Sequence, residues 1–110
     1  MGKFVVGEVV AVPFPFSDLS GKKLRPAVIV ASVDFDDLIF CQITSRDRSR
    51  DGAIKLSSVD FQDGSLPLTS YARPDKLFTG EASIIVKSRG KLTKQTKSSL
   101  LKSIRQLFAE

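Results

Sequence analysis

The chain has 110 residues, with 17 Lys and Arg against 12 Asp and Glu for a net charge of +5 at pH 7. Its 42% hydrophobic and 26% charged residues describe one globular domain over residues 1–110 and exclude a disordered chain. With no histidine and one cysteine, it can build no His-based nucleophilic triad, no paired-histidine RNA-cleaving site, no Cys/His zinc site and no internal disulfide.

Taken along the chain, the first half is punctuated by apolar, β-branched runs of strand length. Val5–Phe14 is the first, closed by Pro13 and Pro15, because proline cannot donate to a ladder. Residues 17–23 form a polar loop. Pro26–Ala31 is almost wholly apolar, which predicts a strand covered on both faces. Asp34–Asp37 make a hairpin-length acidic turn into a third strand, Leu38–Thr44, where Cys41 alternates with apolar neighbours as a core residue. Arg46–Gly52 is a charged loop, Ala53–Leu56 a short strand, and residues 57–68 a long connection broken by Gly64 and Pro67. Thr69–Arg73 and Ser83–Lys87 are the later strand candidates. After Gly90 the period changes: Leu100, Leu101, Ile104, Leu107 and Phe108 form one helical stripe, predicting a helix over 94–108 capped by Thr93 and docked through that stripe. Short strands with hairpin-like links and one terminal helix describe a mainly β protein, a small antiparallel barrel, rather than a βαβ fold.

Charge is unevenly placed. Residues 1–40 carry a net −1 and residues 41–110 a net +6, and between Ala82 and Ala109 there are seven bases and no acid. A polyanionic partner such as nucleic acid and a solvated helix face account for this equally well. No apolar run approaches the roughly 20 residues of a membrane helix. Glu8 also comes too early for a signal-peptide core, so a soluble cytoplasmic protein without a membrane partner is expected.

Three segments, read together, resemble one family. Gly7-Glu8-Val9-Val10 leads through Val12-Pro13-Phe14-Pro15-Phe16-Ser17-Asp18 to Lys23-Leu24-Arg25-Pro26-Ala27-Val28-Ile29-Val30; Ile43-Thr44-Ser45 ends a strand; Arg73-Pro74-Asp75-Lys76-Leu77 precedes Gly90-Lys91-Leu92-Thr93 at the helix start. In order and spacing these are similar to the MazF/PemK toxins of type II toxin–antitoxin systems. The resemblance runs from about Gly7 to Phe108, and its first segment is the most specific. It implies an SH3-like barrel, a homodimer, an acidic and apolar antitoxin segment as partner, and sequence-selective, metal-independent cleavage of single-stranded RNA with no cofactor. It places the catalytic pair at Arg25 and Thr44.

Those residue types suit that chemistry. RNA carries its own nucleophile, the 2′-hydroxyl, so a protein must position it and stabilise the charge that builds on phosphorus. A guanidinium forks onto two phosphate oxygens but is a poor base, so Arg25 is assigned electrostatic stabilisation, with proton donation to the leaving oxygen a second role open to it. Thr44 can hydrogen-bond the phosphate or the 2′-hydroxyl. Phe16, Lys22, Lys23, Ser45, Arg46, Arg48 and Arg73 are the expected RNA-binding residues, Arg46 and Arg48 because their loop follows Thr44 directly. Tyr71 is a weaker candidate, and Phe14 and Phe16 are most simply core residues, although an aromatic beside the turn could stack a base. Two rival readings exist. One is an RNA-binding barrel without catalysis. The other is a CcdB-like toxin that binds a protein target through its C-terminal helix, against which the end Leu107-Phe108 reads as docked.

Overall fold

The computed structural model describes residues 4–13 and 23–109. They form seven strands, β1 (Glu8–Pro13), β2 (Leu24–Ser32), β3 (Asp37–Thr44), β4 (Ile54–Leu56), β5 (Phe61–Gly64), β6 (Ser70–Glu81) and β7 (Lys87–Leu92), and then one helix, α1 (Lys94–Leu107). The strands make one antiparallel sheet in the order β4-β6-β3-β2-β1-β7-β5, curled into a nearly closed barrel.

The three central strands alternate between two cores. Val9, Val28, Cys41 and Ile43 join Leu56, Ala72, Leu92 and Leu100 in one. Val10, Val12, Ala27, Ile29, Leu38 and Phe40 form the other. Strand side chains point alternately to opposite faces, and both faces here are covered, which is why Pro26–Ala31 reads as continuously apolar. The β2–β3 hairpin turns through Phe35 and Asp36, both at positive φ (63° and 64°), with Val33 N–H donating to the Asp37 carbonyl at 3.0 Å. Two successive left-handed residues match the twist of the flanking strands.

Four expectations about the strands need correction. β1 begins at Glu8 rather than Val5, because Val5 and Val6 lie in a turn closed by Glu8 N–H donating to the Val5 carbonyl. β6 does not stop at Arg73 but runs through Pro74 to Glu81. Its register on β3 jumps from Leu77 opposite Cys41 to Ala72 opposite Ile43, so residues 73–76 are looped out of the β3 ladder and the missing proline N–H breaks no bond there. The last strand is Lys87–Leu92 rather than Ser83–Lys87: Ala82–Ile84 form a tight turn, and Ile84 and Ile85 pack on the second core. Finally, the connection 57–68 contains β5.

β5 pairs with β7 through Gly64 opposite Gly90. A Cβ on Gly90 would lie 2.2 Å from the Asp63 carbonyl oxygen, and one on Gly64 2.1 Å from that of Arg89, so only bare backbone fits. The turn before β5 also anchors α1. Asp60 accepts hydrogen bonds from Ser57 N–H (2.8 Å), the Ser57 hydroxyl (3.2 Å) and the Thr96 hydroxyl (2.7 Å), and its carbonyl accepts from Thr93 N–H. Thr93 caps the helix as expected, accepting from Thr96 N–H at 3.2 Å. Leu100 is buried and Ile104 packs beside it, but Leu107 and Phe108 are 51% and 73% exposed. The stripe therefore docks through Leu100 and Ile104, and the end of the helix is not docked.

Candidate active site

Arg25 stands on β2 and Thr44 at the end of β3. Ala27 pairs with Gln42, and two further residues along each antiparallel strand bring Arg25 beside Thr44 where the ladder opens. Both residues line a cleft of about 280 Å³. Ser45 and Arg46 line it from the loop after β3, Leu66 and Leu68 from the loop after β5, and Arg89 from β7. No carboxylate is among its described lining residues. No three His, Cys, Asp or Glu side chains are grouped as a metal site among the described residues.

The hydrogen bonding at the cleft is incomplete in an informative way. Arg25 Nε is buried and has no partner among the described residues. A buried N–H left unpaired is destabilising by about 1–3 kcal/mol, more for a charged group, and such atoms in folded proteins call for an explanation. Thr44 Oγ1 accepts from Arg46 N–H at 3.2 Å. That bond fixes the hydroxyl at the strand end and leaves its proton available to donate.

The other expected residues divide. Ser45 and Arg46 share the cleft. Arg48 does not line it and pairs with Asp51 at 3.4 Å, an exposed contact of small energetic value. Lys23 is exposed immediately before β2 and is not among the lining residues. Arg73 lies elsewhere: its fork is spent on Asp75, Nε to one oxygen at 3.2 Å and an Nη to the other at 2.9 Å. Hydrogen bonding from that guanidinium, against some desolvation, holds the Asp75 carboxyl below its usual range. Tyr71 pairs with Thr44 across β3 and β6 but does not line the cleft. Phe16 and Lys22, with Phe14, fall outside the described residues. Cys41 is a core residue, its thiol donating to the Arg73 carbonyl at 3.0 Å; burial pushes its pKa up to about 12, so it is no nucleophile.

The model of the PemK-like, MazF-like toxins of type II toxin–antitoxin systems matches residues 6–108. The chain belongs to this family. No curated protein matches it in sequence. Among solved structures it is similar to an endoribonuclease in complex with its cognate antitoxin from a Mycobacterial species, at a TM-score of 0.70 and 19% identity over 96% of this chain and 93% of that one. It is also similar to the Mycobacterium tuberculosis toxin MazF-mt6 (TM-score 0.71, 16% identity, 92% and 95% covered) and to MazF in a MazE–MazF crystal from Deinococcus radiodurans (0.72, 15%, 93% and 92%). These likenesses establish that the MazF fold is shared.

For a MazF-like toxin, two parts of the cleft escape a linear reading. Arg89 enters it because β7 is bulged: the register on β1 steps from Val9–Gly90 to Val10–Ser88 and leaves Arg89 unpaired there. Leu66 and Leu68 enter it because Gly64 and Gly90 press β5 onto β7. The paired glycine-containing segments were visible in sequence, but their contact was not. Among the described residues no helix is long and apolar enough to cross a membrane.

Proposed function

We propose that this toxin is an endoribonuclease that cuts single-stranded RNA at selected sequences, with Arg25 and Thr44 at the scissile phosphate. The observation that carries the reading is the buried Arg25 Nε, without a partner among the described residues, in a cleft shared with the Thr44 hydroxyl and two further arginines. In the proposed step the 2′-oxygen attacks the adjacent phosphorus and its proton passes to solvent. The bond to the 5′-oxygen breaks, and that oxygen takes a proton from solvent. Arg25 offers Nε and an Nη to the two non-bridging oxygens as their charge grows, a hydrogen bond made fully in the transition state. Thr44 donates to the phosphate and fixes the attacking geometry. With guanidinium groups meeting the phosphate charge, the reaction is proposed to need no metal. Similar structures are of an endoribonuclease bound to its antitoxin and of MazE–MazF. An antitoxin segment both acidic and apolar would suit this cleft, with its three arginines and its Leu66 and Leu68 wall.

The test is incubation with a long unstructured RNA, with and without chelator, followed by end analysis. Discrete fragments with 2′,3′-cyclic phosphate and 5′-hydroxyl ends, unchanged by EDTA, are expected. Intact RNA, or cleavage that EDTA abolishes and Mg²⁺ restores, contradicts the mechanism. A toxin that binds a protein target is the second reading, favoured by the exposed Leu107 and Phe108 at the helix end. Toxicity that survives Arg25→Ala and is lost in Phe108→Ser would select it.

A further inference from the structure

Lys87, Arg89 and Lys91 of β7 are all exposed, with the bulge at Arg89 turning Lys87 and Lys91 to opposite faces of the strand. Arg89 opens on the cleft. Two residues on, Lys91 borders a second cavity of about 350 Å³ together with Lys94 and Lys97 of α1 and Val5 and Val6 before β1. Lys97 is held there by its stem. Gly7 has φ +95°, and a Cβ on it would lie 2.7 Å from Lys97 Cδ, so the lysine chain lies against bare backbone. That backbone is itself fixed, Gly7 N–H donating to the Ile29 carbonyl at 2.7 Å and its carbonyl accepting from Leu92 N–H at 2.9 Å. Asp63 and Glu8 are the acids opposite Lys91 in the β5–β7 and β1–β7 ladders, Glu8 buried and accepting from Val5 N–H and the Ser88 hydroxyl, so Lys91, Lys94 and Lys97 still leave the patch a positive balance.

We propose that this second cavity is a backbone-phosphate subsite for single-stranded RNA that continues out of the cleft along β7. The inference rests on the ribonuclease reading of the cleft and adds where the flanking nucleotides go. Arg89 and Lys91 are separated on β7 by Gly90 alone, so the cleft and the second cavity adjoin along the strand. Cations line both cavities, Arg89 the first and Lys91, Lys94 and Lys97 the second, which fits a polymer with a charge on every unit. Three ammonium groups contact phosphate without reading sequence, so the subsite raises affinity for longer RNA while the cleft sets specificity. Val5 and Val6 give the wall an apolar edge on which a sugar or base can rest.

The experiment uses 2′-O-methyl RNAs of mixed sequence, about 5 and about 15 nucleotides long, within the site sizes of small single-strand binders. Binding is measured by fluorescence anisotropy across a salt series for the wild type and for the Lys91→Gln/Lys94→Gln/Lys97→Gln variant. The variant is expected to bind the long RNA at least tenfold more weakly at low salt. Its log–log salt slope is expected to be shallower by about 2, at roughly 0.7 per lost contact. The short RNA should bind both proteins alike. Equal binding of the long RNA by both proteins overturns the subsite. So does wild-type RNA binding by a variant that has lost affinity for poly-L-glutamate, which assigns the surface to an acidic protein segment. Cleavage of an unmodified transcript by the wild type is scored separately. If that fails while the variant loses long-RNA binding, the ribonuclease reading falls and the RNA subsite stands.

Discussion

Asp60→Ala tests how the edge strand and the helix are tied together. Asp60 joins the turn before β5 to α1 through bonds from Ser57 N–H, the Ser57 hydroxyl and the Thr96 hydroxyl. Each is worth about 1 kcal/mol net, and more to a charged acceptor, so the loss should be about 2–3 kcal/mol. For a domain of this size that lowers Tm by roughly 8–15 °C. The bond carries a pH signature. Burial raises the carboxyl's pKa, but the Ser57 and Thr96 donors outweigh it and hold the group below its usual range. A depressed folded value means that the stabilisation is complete above about pH 5 and is lost as pH falls through the folded pKa. Thermal melts from pH 3 to pH 7 should therefore show the wild type and Asp60→Ala converging at the acid end. Parallel curves, or melting within 2 °C of wild type at pH 7, would refute the assignment.

The remaining expectations are compact. Gly90→Ala forces a Cβ into the Asp63 carbonyl at φ +145°; strain alone should destabilise by about 1–3 kcal/mol, read by urea unfolding, and a neutral change would mean β5 is not pressed against β7. The Cys41 thiol, pushed up to about 12 by burial, with the Asp75 charge adding and the Arg73 carbonyl opposing, should not react with a disulfide reagent at pH 8 until the protein is unfolded. Thr44→Val should slow RNA cleavage with little change in RNA affinity. Arg46→Ala/Arg89→Ala should do the reverse, flattening the salt dependence of binding by roughly 0.7 per phosphate contact.

What could be read from the sequence depended on whether side-chain pattern or distant backbone pairing decided the structure. β2 and β3 were legible because burial on both faces forces an unbroken apolar run, and α1 because a core stripe and the Thr93 cap agree. β5 was not, since Phe61-Gln62-Asp63-Gly64 has one apolar residue and owes its strand geometry to Gly90 across the ladder. The apolar Ile84-Ile85-Val86 run misled for the opposite reason: Ile84 and Ile85 pack on the core at the end of the Ala82–Ile84 turn and Val86 is exposed, while the polar Lys87–Leu92 is held by pairing on both sides. Within the cleft, Arg25, Thr44 and Ser45 could be named because they stand in two of the segments that carry the family resemblance, and Arg46 because its loop follows Thr44 directly. Arg89 depends on a bulge and Leu68 on a loop's return path, neither of which leaves a local signature. Arg73 looked available in sequence, but Asp75 two residues on takes its fork.

The central claim is that Arg25 meets developing charge on a scissile phosphate. Single-turnover cleavage of one RNA by wild type, Arg25→Ala and Arg25→Lys, with RNA affinity and Tm measured alongside, tests it most directly. A loss on the order of a hundredfold or more is expected in the alanine variant, and the lysine variant should be poor because an ammonium cannot make the planar fork, with Tm held or raised as a buried donor without a partner among the described residues is removed. Cleavage by Arg25→Ala at the wild-type rate would contradict it.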